Sequence, residues 1–212
     1  MAGFFEHSFF FLRFAVLLLL LSCISPLPGT GTPGRKADTF AALVAALPGE
    51  PRLVIWKSQY TLTLYKGTTP VKTYPAAFGG GYGDGDKRRT GDLRTPEGDF
   101  YICTMNPSKR FYKFMGLSYP GLKHAGYGLQ ERLITRAEYN KIKKAIDDRQ
   151  PPTWSTRLGG AIGIHGRTAS PAPESNRPGS RNWTAGCIAL ANADVDEIFS
   201  VVALGTAVTV LP

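Results

Sequence analysis

Residues 161 to 192 read AIGIHGRTASPAPESNRPGSRNWTAGCIALAN, and this stretch decides the fold of the chain. It contains two short apolar runs, separated by a loop rich in proline, glycine and serine. In the first run, period-two alternation places Ile164 on one face of a strand and His165 on the other. In the second run, Cys187 lies opposite Ile188 in the same way. If the two runs are neighbours in one sheet with matching faces, the imidazole and the thiol meet.

A cysteine and a histidine within hydrogen-bond reach can act as a nucleophile and its base, because a thiol is a poor nucleophile until a base takes its proton. A thiolate beside an imidazolium has a pKa several units below the free value of about 8.5. If His165 lowers the pKa of the Cys187 thiol in this way, we expect Cys187 to be alkylated rapidly at mildly acidic pH. Gly186 lets the backbone approach a substrate closely, and the amides of Gly186 and Cys187 are candidate oxyanion donors.

Further motifs accompany this pair in a fixed order: His165-Gly166, Thr184-Ala185-Gly186-Cys187-Ile188, Asn192 and Gly205-Thr206-Ala207-Val208. Upstream, residues 91–102 read GDLRTPEGDFYI, a turn that leads into a strand. Together these blocks resemble the YkuD-type L,D-transpeptidases of bacterial cell-wall metabolism. The resemblance covers residues 51–212, and the joint occurrence of the blocks is far more specific than any one of them.

The resemblance implies a mostly β domain, a mixed sheet or barrel with two or three short helices. It also implies a cysteine acyltransferase of peptidoglycan biosynthesis and cell shape that needs no cofactor. Cys187 would attack the bond between an L-centre and a D-residue in a peptidoglycan stem peptide. His165, oriented by the carbonyl of Gly166 or its neighbour, would take and return the proton.

Two alternatives stay open at this point. An amine of a second stem peptide would resolve the thioester in a transpeptidase, whereas water would resolve it in a hydrolase, either a carboxypeptidase or an amidase. A wall-binding module with an inert thiol is the alternative outside catalysis. The first two share every residue up to the acyl-enzyme, so the sequence does not separate them.

Two positions depart from the family pattern. Many members carry His or Arg before the Gly-Cys and an Arg two residues after the Cys, where this chain has Ala185 and Ala189. Other residues must therefore supply substrate binding here. The W-T-A-G-C-I-A-L variant is similar to a proteobacterial branch that includes both transpeptidases and hydrolases.

The glycine-rich run GGGYGDGDKRR, residues 79–89, is predicted to be a flexible connection. It lacks the Gly-Lys-Ser/Thr ending of a phosphate loop, and no long helix pattern follows it. Its Lys87 and Arg88 are candidates for binding substrate carboxylates.

The loop from Arg167 to Trp183 is predicted to arch over the His–Cys pair as a lid. Its prolines and glycines hinder regular structure, and both of its ends are tied to the candidate site. Trp183 is the expected apolar anchor of this lid, and Trp183 and Thr184 are further candidates for substrate binding.

The first residues predict export to the periplasm or cell envelope. Arg13 precedes an apolar run, residues 14–21, that is short for a membrane span but typical of a signal-peptide core. The run ends in Leu-Leu-Ser-Cys, residues 20–23, which resembles a bacterial lipobox. Cleavage before Cys23 would leave an acylated cysteine that attaches the protein to a membrane. The alternative is an ordinary cleaved signal.

We divide the chain into a signal peptide (1–23), a linker and short helix (24–50) and the catalytic domain (51–212). Residues 24–37 are rich in proline and glycine and predict the linker, and residues 38–47 predict the helix. Strands are predicted from residues 52, 60 and 71, and helices over 135–150 and about 193–204, the last capped by Asn192.

Net charge and histidine content restrict the partners. The formal net charge is +9, which attracts polyanions, but no basic helix or nucleic-acid motif occurs, so anionic peptidoglycan is the expected partner. Outside the signal, the histidines are His165 and His124, and the latter is expected in an exposed loop. Without C-x-x-C or H-x-x-x-H spacing, a zinc site lacks ligands.

Cys103 lies in an alternating strand pattern and is expected to be buried like a small hydrophobic residue. The alternative, for an exported domain with two thiols, is a disulfide between Cys103 and Cys187. The glycine before Cys187 favours the nucleophile over the disulfide.

Overall fold

The computed structural model describes residues 33–81, 85–167 and 182–212, with the side chains from residue 36 onward. The predicted signal core, Cys23 and residues 168–181 of the predicted lid lie outside the described residues.

The described residues form ten strands and four helices. The strands are β1 (Pro51–Trp56), β2 (Thr61–Lys66), β3 (Thr69–Pro75), β4 (Phe78–Gly79), β5 (Gly98–Ser108), β6 (Tyr112–Leu117), β7 (Gly163–His165), β8 (Asn182–Thr184), β9 (Ile188–Ala189) and β10 (Ala207–Leu211). The helices are α1 (Pro33–Ala45), α2 (Leu122–Gln130), α3 (Arg136–Asp147) and α4 (Asn192–Val201).

Eight of the strands form one mixed sheet in the order β3-β2-β1-β10-β5-β6-β7-β9, while β4 and β8 form a separate parallel pair. β10 is parallel to β1 and antiparallel to β5, so it joins the two halves of the sheet. β9 lies at one edge, parallel to β7. The prediction of a mostly β, mixed-sheet domain is confirmed, with four described helices where two or three were expected.

The first strands follow their sequence pattern. β1, β2 and β3 begin within two residues of the predicted positions. In β2, Leu62 and Leu64 are fully buried in the main core, as alternation predicts. Thr63 is also buried, because its hydroxyl lies 2.9 Å from the hydroxyl of Thr73 on β3.

The predicted helix over 135–150 is α3, and a capping box begins it: Thr135 Oγ1 accepts from the Glu138 amide, and the Glu138 carboxylate accepts from the Thr135 amide. The helix α1 begins at Pro33, inside the predicted linker, where proline suits the first helical turn. It packs on α4, since Val44 belongs to the main core and Ser200 donates a hydrogen bond to the Ala37 carbonyl.

The helix α2 was expected to be a loop. Its sequence, LKHAGYGLQ, contains two glycines and has low intrinsic helix propensity. Tertiary packing overrides that propensity: a Cβ at Gly128 would lie 2.8 Å from a methyl carbon of Leu158, so only glycine allows this approach. As a result His124 is buried in a helix, and the expectation of an exposed loop histidine is wrong.

Across 33–81, 85–167 and 182–212, none of the helices has the length and apolarity needed to span a bilayer.

Candidate active site

The edge pair β7–β9 positions the candidate nucleophile and base. Ile164 is level with Ile188, and His165 with Ala189, in a parallel register. The two apolar runs are thus neighbours in one sheet, as the sequence predicts. Cys187 immediately precedes β9, two residues before Ala189, and so lies next to the edge pair in which β7 ends at His165.

His165 is 2% exposed and held in one orientation. Its Nδ1 lies 2.7 Å from the Gly166 carbonyl oxygen. Because a carbonyl only accepts, Nδ1 carries the proton and Nε2 carries the lone pair of a base. The Phe111 ring lies 4.5 Å from the imidazole, centroid to centroid, and Trp183 presents its ring edge-on at 6.2 Å. Burial lowers the pKa of His165, although the bond to Gly166 opposes this, so the imidazole is neutral at neutral pH.

Cys187 is half-buried, and its Sγ donates a long hydrogen bond of 3.6 Å to the Ala161 carbonyl. Burial raises the pKa of the thiol, while the Gly163 amide and the charges of Lys87 and Arg110 act in the opposite direction. Burial thus disfavours the charged forms of both Cys187 and His165, and does not favour the thiolate–imidazolium pair that the sequence suggests.

The turn before Cys187 depends on Gly186 and Thr184. Gly186 has φ +131°, and a Cβ there would lie 2.6 Å from the Arg94 carbonyl oxygen. Thr184 Oγ1 accepts from the Gly186 amide at 3.1 Å and donates to the Cys187 carbonyl at 2.7 Å. The Gly186 amide and the Thr184 hydroxyl are therefore engaged within the turn, which leaves the Cys187 amide as the better candidate for an oxyanion donor.

Lys87 and Arg88 differ in their availability to a substrate. Lys87 is buried, and its Nζ donates to Asp92 at 2.6 Å, so it is engaged within the protein. The Arg88 guanidinium is exposed, over the Tyr127 ring at 4.2 Å and 3.8 Å from the Glu131 carboxylate. Binding of substrate carboxylates by these residues stays a prediction, while the charge of Lys87 acts on the Cys187 thiol through space.

The sequence analysis did not identify two arginines, Arg110 and Arg167, that lie on the aromatic neighbours of His165. The Arg110 guanidinium lies 5.1 Å from the centroid of Phe111, and that of Arg167 lies 4.4 Å from the ring of Trp183. Each arginine thus stacks on an aromatic neighbour of His165. The alternation of bases and aromatics in KRFYK, residues 109–113, is the signal that indicates such stacking.

Asn192 has a different role from the predicted helix cap. The helix α4 is capped by Ala191, and Asn192 is its first residue. The Asn192 side chain accepts from the Arg167 amide at 2.7 Å and donates to the Arg167 carbonyl at 2.8 Å. A Cβ at Gly166 would collide with the Asn192 side-chain oxygen, which explains the glycine that follows His165.

Cys103 and Cys187 are both free thiols. Cys103 is buried as predicted, and burial raises its pKa to about 11. Within the part of the chain that the structure describes, no group of three or more His, Cys, Asp or Glu side chains is arranged to hold a metal ion.

Residues 50–210 match the family model described as the YkuD L,D-transpeptidase catalytic domain. None of the curated proteins matches the chain.

Among solved structures, an L,D-transpeptidase from Xylanimonas cellulosilytica is similar at 16% identity and a TM-score of 0.46, covering 82% of this chain and 69% of that one. The helical cell shape determining protein Pgp2 from Campylobacter jejuni is similar at 18% identity and a TM-score of 0.49, with 84% and 56% covered. Bd1075 from Bdellovibrio bacteriovorus is similar at 17% identity and a TM-score of 0.48, with 77% and 48% covered. The chain thus spans about half of the last two proteins.

Proposed function

Because this chain belongs to the family of YkuD-type L,D-transpeptidase catalytic domains, we propose that it transfers acyl groups between peptidoglycan stem peptides through a thioester on Cys187. The observation that supports the proposal is the β7–β9 register, which brings the end of β7 at His165 next to the strand that Cys187 precedes, together with the hydrogen bond that fixes His165 Nδ1 on the Gly166 carbonyl. An inert wall-binding module would not need that orientation of the imidazole.

In the first half of the reaction, the Cys187 sulfur attacks the carbonyl carbon of the L-centre to D-residue bond. Since the thiol and the imidazole are both neutral, the proton moves from Sγ to Nε2 of His165 as the carbon–sulfur bond forms. The Cys187 amide stabilises the oxyanion of the tetrahedral intermediate. The imidazolium then returns the proton to the amine of the departing D-residue, which leaves a thioester.

In the second half, the amine of another stem peptide attacks the thioester carbonyl. His165 accepts a proton from that amine and gives a proton to the departing Cys187 sulfur, so the free enzyme is restored in its neutral form. The Gly166 carbonyl stabilises the transient imidazolium through the same hydrogen bond that fixes the ring.

Arg110 and Arg167 supply the positive charge that the family pattern places next to the cysteine. Ala185 and Ala189 carry no charge at the positions where many relatives have His or Arg. Both arginines are exposed, and each stacks on a ring that contacts His165. They are therefore placed to attract the free carboxylates of stem peptides to the site.

Mass spectrometry of wall fragments after incubation with the enzyme tests this function. New cross-linked fragments indicate transfer, whereas shortened or released fragments without new bonds indicate hydrolysis through the same acyl-enzyme. Cys187→Ala should abolish both products and leave the fold nearly intact, because alanine fits a half-buried site.

The matched control is Cys103→Ala, which removes the other thiol of the domain and should keep turnover. Full activity in Cys187→Ala would exclude the covalent mechanism. Unaltered wall fragments with the wild-type protein, together with retained binding to the wall, would favour the wall-binding module.

Because the proposed substrate is peptidoglycan, we propose that the enzyme acts in the cell envelope. The basic net charge of +9 favours the anionic wall, and the apolar run before Cys23 supports export. We further propose that the lipobox-like residues 20–23 lead to acylation of Cys23 and attachment to a membrane.

A further inference from the structure

The imidazole of His165 is oriented by a single peptide unit, the one that joins Gly166 to Arg167. The carbonyl of this unit accepts from His165 Nδ1 at 2.7 Å. Its N–H, which belongs to Arg167, donates to Asn192 Oδ1 at 2.7 Å. Because the C=O and the N–H of a trans peptide lie in one plane and point in opposite directions, this unit connects His165 on one side to Asn192 on the other.

The orientation of this peptide unit decides which nitrogen of His165 carries the proton. A carbonyl only accepts, so Nδ1 carries the proton and Nε2 keeps the lone pair that a base needs. If the peptide unit rotated by half a turn, its N–H would face the imidazole instead. Nδ1 would then have to accept, the proton would lie on Nε2, and that nitrogen could not take a proton from Cys187.

Gly166 does not hold the peptide unit in place by itself. Glycine has the freest backbone of all residues, and the strand β7 ends one residue earlier, at His165. Glycine is nevertheless required at this position, because a Cβ would collide with the Asn192 side-chain oxygen and would lie 3.3 Å from the Tyr112 ring. The close approach of Asn192 thus requires the residue type whose backbone most needs a restraint from outside.

Asn192 supplies that restraint through two hydrogen bonds. Besides accepting from the Arg167 amide, its side chain donates from Nδ2 to the Arg167 carbonyl at 2.8 Å. Since the Arg167 backbone offers one donor and one acceptor, only one placement of the Asn192 amide satisfies both. The two bonds therefore fix the peptide units on both sides of Arg167.

The helix α4 holds Asn192 against the strand that carries His165. Asn192 is the first residue of α4, and two residues earlier the Leu190 amide donates to the His165 carbonyl at 2.9 Å. One turn into the helix, the buried Asp196 carboxylate accepts from the Tyr112 hydroxyl at 2.9 Å. Tyr112 begins β6, the neighbour of β7 in the sheet. The start of α4 is thus anchored to both strands.

We propose that Asn192 is a positioning residue that sets the tautomer of His165 through the peptide unit between Gly166 and Arg167. It acts on the imidazole through the backbone and takes no part in proton transfer. The consequence for turnover rests on the function proposed above, whereas the tautomer itself does not, so the two can be tested separately.

Nitrogen-15 NMR of the imidazole measures the tautomer, because a protonated and an unprotonated ring nitrogen have different chemical shifts. Burial lowers the pKa of His165, so the ring is neutral at about pH 8. We expect a protonated Nδ1 and an unprotonated Nε2 in the wild type. In Asn192→Ala, the ratio of the Nε2–H to the Nδ1–H form should rise about tenfold, as expected for the loss of one hydrogen bond.

Turnover provides a second measurement. In Asn192→Ala, kcat should fall about tenfold to a hundredfold, the range for removing a residue that orients a functional histidine, while KM changes little. The ring signals of His124, which contacts Phe100 and Tyr119, should stay unchanged and serve as an internal reference. Alkylation of Cys187 should match the wild type, because the surroundings of the thiol are intact.

Two further variants separate positioning from a merely structural role. Asn192→Asp keeps an oxygen that accepts from the Arg167 amide, so it should keep the Nδ1–H form. Glu197→Gln, on the same helix, removes the ionic contact with Lys72 on β3 and should lower Tm without changing the tautomer or kcat. Asn192→Leu, which keeps the size of the side chain without its hydrogen-bonding groups, replaces the alanine variant if that protein does not fold.

An Nδ1–H form that persists unchanged in Asn192→Ala would overturn the proposal, and so would an equal loss of that form in Glu197→Gln or in Asn192→Asp. A wild-type protein without turnover, but with the expected change of tautomer in Asn192→Ala, would overturn the proposed function and support the positioning role.

Discussion

Single residues define the ionisation state of the candidate site. Burial lowers the pKa of His165 and raises the pKa of the Cys187 thiol, which favours the neutral form of both groups. In the proposed reaction the proton therefore moves during the attack on the substrate. A neutral thiol also resists oxidation and stray electrophiles better than a thiolate does.

We predict that alkylation of Cys187 by a haloacetamide is slow at about pH 5 to 6 and rises with a midpoint at or above the ordinary thiol pKa of about 8.5. The physical reason is the burial that raises the pKa of this thiol. The rate is measured in a Cys103→Ala background as a function of pH, with His165→Ala as the comparison. Because the imidazole is neutral, the His165→Ala curve should almost coincide with the wild-type curve while turnover is lost. Rapid alkylation at acidic pH that disappears in His165→Ala would instead establish an ion pair.

The sequence was sufficient to predict that the two apolar runs are neighbouring strands, because strand periodicity is local. The reaction of Cys187 with His165 stays a prediction. Burial depends on contacts distant in sequence, so its effect on the pKa of each group was not predictable. The burial of Lys87 against Asp92 was not predictable for the same reason. Neither was the stacking of Arg110 on the Phe111 ring, which contacts His165.

The connection between β4 and β5 supports the turn that carries the nucleophile. Its centre is Asp92, whose carboxylate accepts from the amides of Arg88, Arg89 and Arg94 and from Lys87 Nζ. The backbone at Arg94 lies directly against Gly186, which leaves no room for a side chain there. The described part of this connection, from residue 85 onward, is thus more ordered than the flexible segment that its glycines predict.

We predict that Asp92→Asn lowers the free energy of unfolding by about 3–5 kcal/mol, because it leaves the Lys87 ammonium buried without a counter-charge. Burial acts to raise the pKa of Asp92, but hydrogen bonds from Lys87 and the backbone lower it overall. A lowered pKa stabilises the fold above the unfolded value of about 3.9 and ceases to do so as pH falls through the folded value. The gap between variant and wild type, measured by denaturant unfolding, should therefore be complete at neutral pH and shrink below about pH 4.

The control is the double variant Lys87→Met with Asp92→Asn. It removes the buried charge as well and should recover much of the loss. A single variant as stable as the wild type would mean that the ion pair does not hold this connection.

Elements with strong local signals were predictable, and those that depend on tertiary packing were not. The strands β1 to β3 and the helix α3 follow from alternation and a capping box. The helix α2 forms despite its glycines because Gly128 packs on Leu158. The strands β4 and β8, of two and three residues, are too short for any periodicity to reveal.

For the whole molecule, we predict attachment to a membrane through Cys23. Two or more acyl chains give stable attachment where one is marginal, so the mature protein should partition into detergent. Mass spectrometry of the purified protein should find an acylated N-terminus at residue 23, and Cys23→Ala should release the protein to the aqueous phase. An unacylated N-terminus at another residue would show that an ordinary signal peptide is cleaved instead.

The position of β10 in the sheet has a consequence for vectorial secretion. β10 lies between β1 and β5, although β1 precedes it by more than 150 residues in the chain. If the chain is exported as proposed, crossing the membrane amino terminus first delivers β1, β2 and β3 long before β10 arrives to join them to the rest of the sheet. Until then β1 lacks its β10 neighbour, so β1 and the edge strand β3 have free edges that must be kept from pairing with other chains. Export would thus delay completion of the sheet until almost the whole domain has crossed.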